Sequence, residues 1–152
     1  MESTRFARRR GLAAGAPMIV AVLAILGACG RMATTTTQAP ACNAALCNIS
    51  QATWQDHIDP RHCQGSCVGN HKSIFAGAYC GSRASAVTFC QTLMGRPGCA
   101  GTAQPNGRVS YTADLAGTAG EDRNNACANT ARGTVIYDPI DDAVVTQFPG
   151  NP

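Results

Sequence analysis

Thr134-Val-Ile-Tyr-Asp-Pro-Ile-Asp-Asp-Ala-Val-Val-Thr-Gln-Phe148 decides the fold class of this 152-residue chain. Two runs rich in β-branched residues, Thr134 to Tyr137 and Ala143 to Phe148, flank Asp138-Pro-Ile-Asp-Asp142. Branched side chains pack well on a pleated surface, and Pro and Asp suit a turn, so the stretch reads as a β-hairpin. Upstream, Arg108-Val-Ser-Tyr-Thr112 alternates and predicts a further strand. Ala86, Val87, Cys90, Leu93 and Met94 form a helical stripe, so a helix is expected from Ser85 to Met94, stopped by Gly95. Asn48 or Ser50 can cap a shorter helix through Gln51 to Ile58. Pro60 is expected to end it, which places His57 near a helix C-terminus, where the dipole favours a protonated imidazole. Helices first and strands last predict an α+β fold, with N-terminal helices packed on a C-terminal antiparallel sheet.

Three regions follow from composition: a signal peptide (1–28), an anchor and flexible tether (29–41) and one domain (42–152). Arg5, Arg8, Arg9 and Arg10 precede an apolar run from Pro17 to Leu26, as in a secretory leader. The run is shorter than the roughly 20 residues a membrane span needs. Arg8-Arg9 suits either a plain basic leader or twin-arginine export. Leu26-Gly27-Ala28-Cys29 looks like a bacterial lipobox, making Cys29 the expected lipidation site and the membrane a partner through a lipid anchor; ordinary secretory cleavage is the alternative. The expected location is the outer membrane, the cell surface or the medium. The Thr run in residues 30–40 reads as the tether. The leader holds four Arg against one Glu and the whole chain is +3, so the mature part is formally neutral. Overall charge is therefore no argument for nucleic-acid binding, which would need a local basic patch. Eight cysteines remain after Cys29: Cys42, Cys47, Cys63, Cys67, Cys80, Cys90, Cys99 and Cys127. In an exported domain they imply up to four disulfides, with 105 connectivities open.

Residues 54–75 hold every histidine of the chain (His57, His62 and His71) and its only lysine, Lys72. Two imidazoles and an ammonium suffice for cleavage of RNA without a metal or cofactor. One imidazole removes the 2′-hydroxyl proton, the other protonates the leaving 5′-oxygen, and the ammonium stabilises the charge on the phosphorane. Three alternatives stand beside this: exposed loop histidines gathered by chance, His62 as a loop-orienting group, and zinc bound by His62, Cys63, Cys67 and His71. Arg61 suits a phosphate contact or an ion pair. Asp122-Arg123 sits in a Gly-rich loop, as a turn or a substrate contact.

His57-Ile58-x-x-Arg61-His62 followed by Lys72-Ser73-x-Phe75, with Val144-Val145-Thr146-Gln147-Phe148-Pro149 in the last strand, resembles the bacterial EndoU-like nuclease domains of polymorphic toxins. The resemblance spans roughly residues 54–149. It implies a barnase, EndoU and RelE type of α+β fold, and metal-independent RNA cleavage to a 2′,3′-cyclic phosphate. It implies catalytic roles for His57, His62, Lys72 and Thr146, with Ser73 completing the Lys-Ser pair as a substrate contact. Arg61, His71 and Arg123 are further expected substrate contacts, and His71, which adjoins Lys72, could replace either histidine in its role. An RNA substrate and a neutralising immunity protein are the implied partners. Ile74 stands where a basic residue is usual, Gln147 replaces a small one, and the cysteines are not a general family feature. The competing reading is a disulfide-rich surface lipoprotein that binds or inhibits without turnover.

Overall fold

The computed structural model describes residues 39–152; the leader, Cys29 and most of the tether lie outside them. Ser50 starts the first helical stretch, α1 (residues 51–62), by accepting the Thr53 N–H at 2.9 Å. This stretch does not stop before Pro60. An α turn, Gln51–Thr53, widens into a π turn, Trp54–Ile58, and tightens again at Asp59–His62. The Asp59 N–H bonds the Trp54 carbonyl five residues back. That change of register comes directly before Pro60, which has no N–H to contribute and would clash with a regular ladder. His57 is therefore inside a helix, not at its C-terminus. Trp54 and Ile58 are buried and anchor the inner side.

The Gly- and Cys-rich stretch 61–81, whose composition suits a loop, contains a four-residue helix, α2 (Cys67–Asn70), and a two-residue strand, β1 (Ile74–Phe75). Helix α3 (Arg83–Met94) begins two residues before the expected start because Ser82 caps it, accepting the Ser85 N–H at 3.1 Å. Its buried residues, Ala86, Phe89, Cys90, Leu93 and Met94, make one stripe. Six further strands complete the chain: β2 (Ala100–Ala103), β3 (Val109–Asp114), β4 (Gly120–Asp122), β5 (Ala128–Thr130), β6 (Arg132–Asp138) and β7 (Ala143–Pro149). They form two antiparallel sheets, ordered β2-β3-β6-β7 and β1-β4-β5. The fold is α+β.

Helix α3 lies directly on β6. A Cβ on Gly133 would fall 2.7 Å from Phe89 Cζ and 2.9 Å from Leu93 Cδ1, so the bare backbone sets the helix-to-sheet approach. Phe89 meets Phe75 and Tyr79 edge-on, at 4.6 and 5.1 Å between ring centres. A bulge in β7 then decides which side chains reach the other side of the sheet. Ile136 pairs with Thr146 but Tyr137 pairs with Val144, leaving Val145 as the extra residue. Strand side chains alternate, so one inserted residue reverses the parity beyond it. Val144 and Gln147 are both buried, and Gln147 donates Nε2–H to the Ala86 carbonyl of α3 at 2.9 Å. Thr146 and Phe148 are thereby turned away from α3.

The eight cysteines pair as Cys42–Cys99, Cys47–Cys90, Cys63–Cys80 and Cys67–Cys127. Such cross-links typically contribute about 2–4 kcal/mol each by restricting the unfolded chain. They are compatible with an exported protein. Among the described residues no helix is long and apolar enough to cross a membrane.

Candidate active site

One open pocket of about 250 Å³ collects His57, Arg61, His62, Lys72, Ser73, Arg123 and Thr146. Of the other residues singled out from the sequence, His71, Asp122, Cys63 and Cys67 are not in its described lining. Phe148, Asn124, Asn151 and Pro152 line it as well. Among the described residues the lining includes Arg61, Lys72 and Arg123 and no Asp or Glu side chain. The formally neutral mature chain thus gathers three cationic side chains at one place.

The side chains arrive from several short segments that are separate in sequence. Helix α1 contributes His57, Arg61 and His62. Five residues on a regular helix point about 140° apart, but the π turn between Trp54 and Ile58 alters the phasing, and the two imidazoles stand 6.1 Å apart between ring centres. The loop after α2 brings Lys72 and Ser73. Arg123 and Asn124 follow β4, where the buried Asp122 carboxylate accepts the Asn124 N–H at 2.9 Å and fixes the turn. Gly150 makes this possible: its φ is +95°, and a Cβ there would collide with the Asp122 carboxylate. Thr146 and Phe148 come from β7, delivered by the bulge, and Phe148 stacks on His62 at 5.7 Å.

His62 Nδ1 lies 2.8 Å from the Ser73 carbonyl. A carbonyl only accepts, so Nδ1 carries the proton and the neutral ring presents a lone pair at Nε2. Burial lowers the imidazole from its ordinary 6.5 to about 4; the Ser73 carbonyl opposes this, and His57, Lys72 and Arg61 add to the lowering. His57 is also lowered, by burial first and then by Arg61 and Lys72. This corrects the expectation of a dipole-stabilised cation at His57: the ring lies within the helix, among positive neighbours. The Ser73 hydroxyl accepts the Arg123 N–H at 3.0 Å, so Ser73 ties three site segments together. Among the described residues the buried Thr146 hydroxyl has no hydrogen-bond partner. His71 is exposed at φ +51°, and its carbonyl accepts from Arg123 Nη1 at 3.5 Å. The imagined zinc ligands diverge in chemistry: Cys63 and Cys67 are in separate disulfides, and His62 uses Nδ1 on a carbonyl.

Neither Asn124 nor Asn151 carried a sequence signal. Phe148 lay within the resembling strand, but its direction depended on the bulge. Compared with protein-family models, curated proteins and solved structures, the chain matches none.

A stability consequence follows from His62. Its folded value lies below the unfolded one, so the unfolded chain binds the extra proton between the two. The stabilising contribution is complete above about pH 6.5 and is lost as pH falls towards about 4, on the order of 3 kcal/mol in all. Melting temperatures followed by circular dichroism should fall across that window, with a smaller fall for His62→Gln. An identical fall in the variant would remove His62 as the cause.

Proposed function

We propose that this domain is an exported, metal-independent endoribonuclease of the EndoU-like type, which cleaves by 2′-hydroxyl attack. The observation that carries this reading is the one pocket that holds His57, His62, Lys72, Arg61 and Arg123 with no Asp or Glu side chain among its described lining. The motif resemblance supports it, because its elements were read from separated stretches and they meet in space. In this scheme His62 is the base: the Nδ1–Ser73 bond leaves its lone pair at Nε2, and the ring is neutral at ordinary pH. His57 is the acid that protonates the 5′-oxygen. Lys72 stabilises the phosphorane, with Arg61 and Arg123 holding phosphate. The unpartnered Thr146 hydroxyl and the Phe148 ring are the substrate contacts from β7.

The lipid anchor at Cys29, the toxin role and the immunity protein belong to the same proposal. The binding-module reading keeps two observations in its favour, the formally neutral mature chain and Ile74 where a basic residue is usual. The pocket charge answers the first locally.

A pH–rate profile taken in EDTA tests the assignment. A base near 4 and an acid lowered from 6.5 should give a bell-shaped kcat/KM whose limbs both lie on the acid side of the ordinary imidazole value. Activity lost on chelation and restored by a divalent ion would overturn the chemistry. A profile still rising through pH 7 would overturn the roles given to the two histidines.

A further inference from the structure

Two of the four disulfides are placed differently from the others. Cys42–Cys99 and Cys47–Cys90 fasten the N-terminal segment to α3 and to the start of β2. Neither pair adjoins a pocket residue. Cys63–Cys80 begins directly after His62 and closes the segment that presents Lys72 and Ser73. Cys67–Cys127 joins that segment to the connection after β4, which presents Arg123 and Asn124. These segments have little regular structure of their own: α2 is four residues long and β1 two. They also carry backbone strain. His71, Ala126 and Cys127 all have positive φ, at 51°, 49° and 60°, and none is glycine. Residues in this region are held there by surrounding structure and not by their own preference. Besides the two-residue pairing of β1 with β4 and the Ala76 N–H to the Ala119 carbonyl at 2.8 Å, the two segments are joined among the described residues by Arg123 N–H to the Ser73 hydroxyl, Arg123 Nη1 to the His71 carbonyl and the Cys67 N–H to Glu121 at 3.3 Å.

We infer that Cys63–Cys80 and Cys67–Cys127 are positioning elements of the active site, so that only the oxidised domain is competent and its substrate is RNA met outside a reducing cytosol. The inference rests on the nuclease reading for its substrate, but the positioning claim has a readout of its own. A dithiol such as dithiothreitol would reverse the state: each bridge takes two electrons and two protons to give two thiols, while the dithiol becomes a cyclic disulfide. Lys72, Ser73 and Arg123 would then be held to one another only by the two-residue β1–β4 pairing and these few hydrogen bonds, while α3 and the four-stranded sheet keep their own frame.

The test compares two double variants of the oxidised mature domain, Cys67→Ser/Cys127→Ser and Cys42→Ser/Cys99→Ser, each checked for native near-ultraviolet circular dichroism below its melting temperature. On single-stranded RNA the first should lose at least about a hundredfold in kcat/KM, the scale of a misplaced site, and the second should stay within about threefold of the parent. Independently of turnover, the imidazole proton resonances should show His62 titrating far below the ordinary value in the parent and in Cys42→Ser/Cys99→Ser, and moved back towards it in Cys67→Ser/Cys127→Ser. A folded Cys67→Ser/Cys127→Ser variant with parental activity and parental His62 titration overturns the inference. If that variant does not fold, Cys63→Ser/Cys80→Ser takes its place; if both fail to fold where Cys42→Ser/Cys99→Ser folds, the bridges are scaffold and the inference is overturned. If the parent itself cleaves no RNA, the nuclease reading fails, and the positioning claim stands or falls on the imidazole titrations alone.

Discussion

Replacing His62 by Gln is expected to lower kcat for RNA cleavage by about a hundredfold or more, the usual contribution of a general base. Gln can still donate a hydrogen bond to the Ser73 carbonyl, which His62 Nδ1 now occupies at 2.8 Å. The variant therefore removes the Nε2 lone pair while keeping a partner for a buried acceptor. His57→Gln should cost a similar factor, and it should remove the basic limb of the pH profile where His62→Gln removes the acidic one. His71→Ala should cost far less, because His71 is exposed and outside the pocket lining. Single-turnover cleavage of a short RNA, with each variant's fold checked by circular dichroism, measures all three. A severe His71→Ala with a mild His62→Gln would move the base to another residue. Full activity in all three would leave the binding-module reading standing.

Lys72→Met is expected to lower kcat by about a hundredfold to a thousandfold while leaving both limbs of the pH profile. Its charge acts on the phosphorane and takes no part in proton transfer. Methionine keeps an unbranched apolar stem, so the Lys72 loop between the Cys63 and Cys80 anchors should hold its course. The loss should fall mainly on kcat, because an interaction that strengthens only in the transition state does not set substrate affinity. Arg123→Ala should behave in the opposite manner, raising KM more than it lowers kcat. A Lys72→Met enzyme with unchanged kcat and raised KM would make Lys72 a ground-state phosphate contact.

The hairpin was legible in the sequence because β-branching and turn chemistry are local. Its bulge was not: Val145 has nothing in its own chemistry to mark it as the extra residue, and the shift arises where Gln147 finds the Ala86 carbonyl. Helix α3 was legible from its stripe, and its true start came from Ser82, a cap that lay outside the apolar pattern. Pro60 misled because its effect was judged against a regular α-helix; the π turn before it absorbed the mismatch. The same turn explains why the His57–His62 proximity could not be obtained from their spacing. Lys72 and Ser73 were legible as chemistry, but their arrival at His62 depends on two disulfides whose pairing the spacing left open. Asn124 and Asn151 reach the pocket only through tertiary placement, at the Asp122 turn and beyond β7.

The most direct test of a cyclising ribonuclease is the chemistry of the ends it leaves. The oxidised mature domain is incubated with a defined single-stranded RNA in EDTA on the acid side of pH 6.5, and the product 3′ ends are analysed by mass spectrometry. A 2′,3′-cyclic phosphate opposite a 5′-hydroxyl is the expected result, since His62 activates the neighbouring 2′-oxygen and His57 protonates the departing 5′-oxygen. Products with a 3′-hydroxyl and a 5′-phosphate, or RNA left intact by a folded and fully oxidised domain, would contradict it.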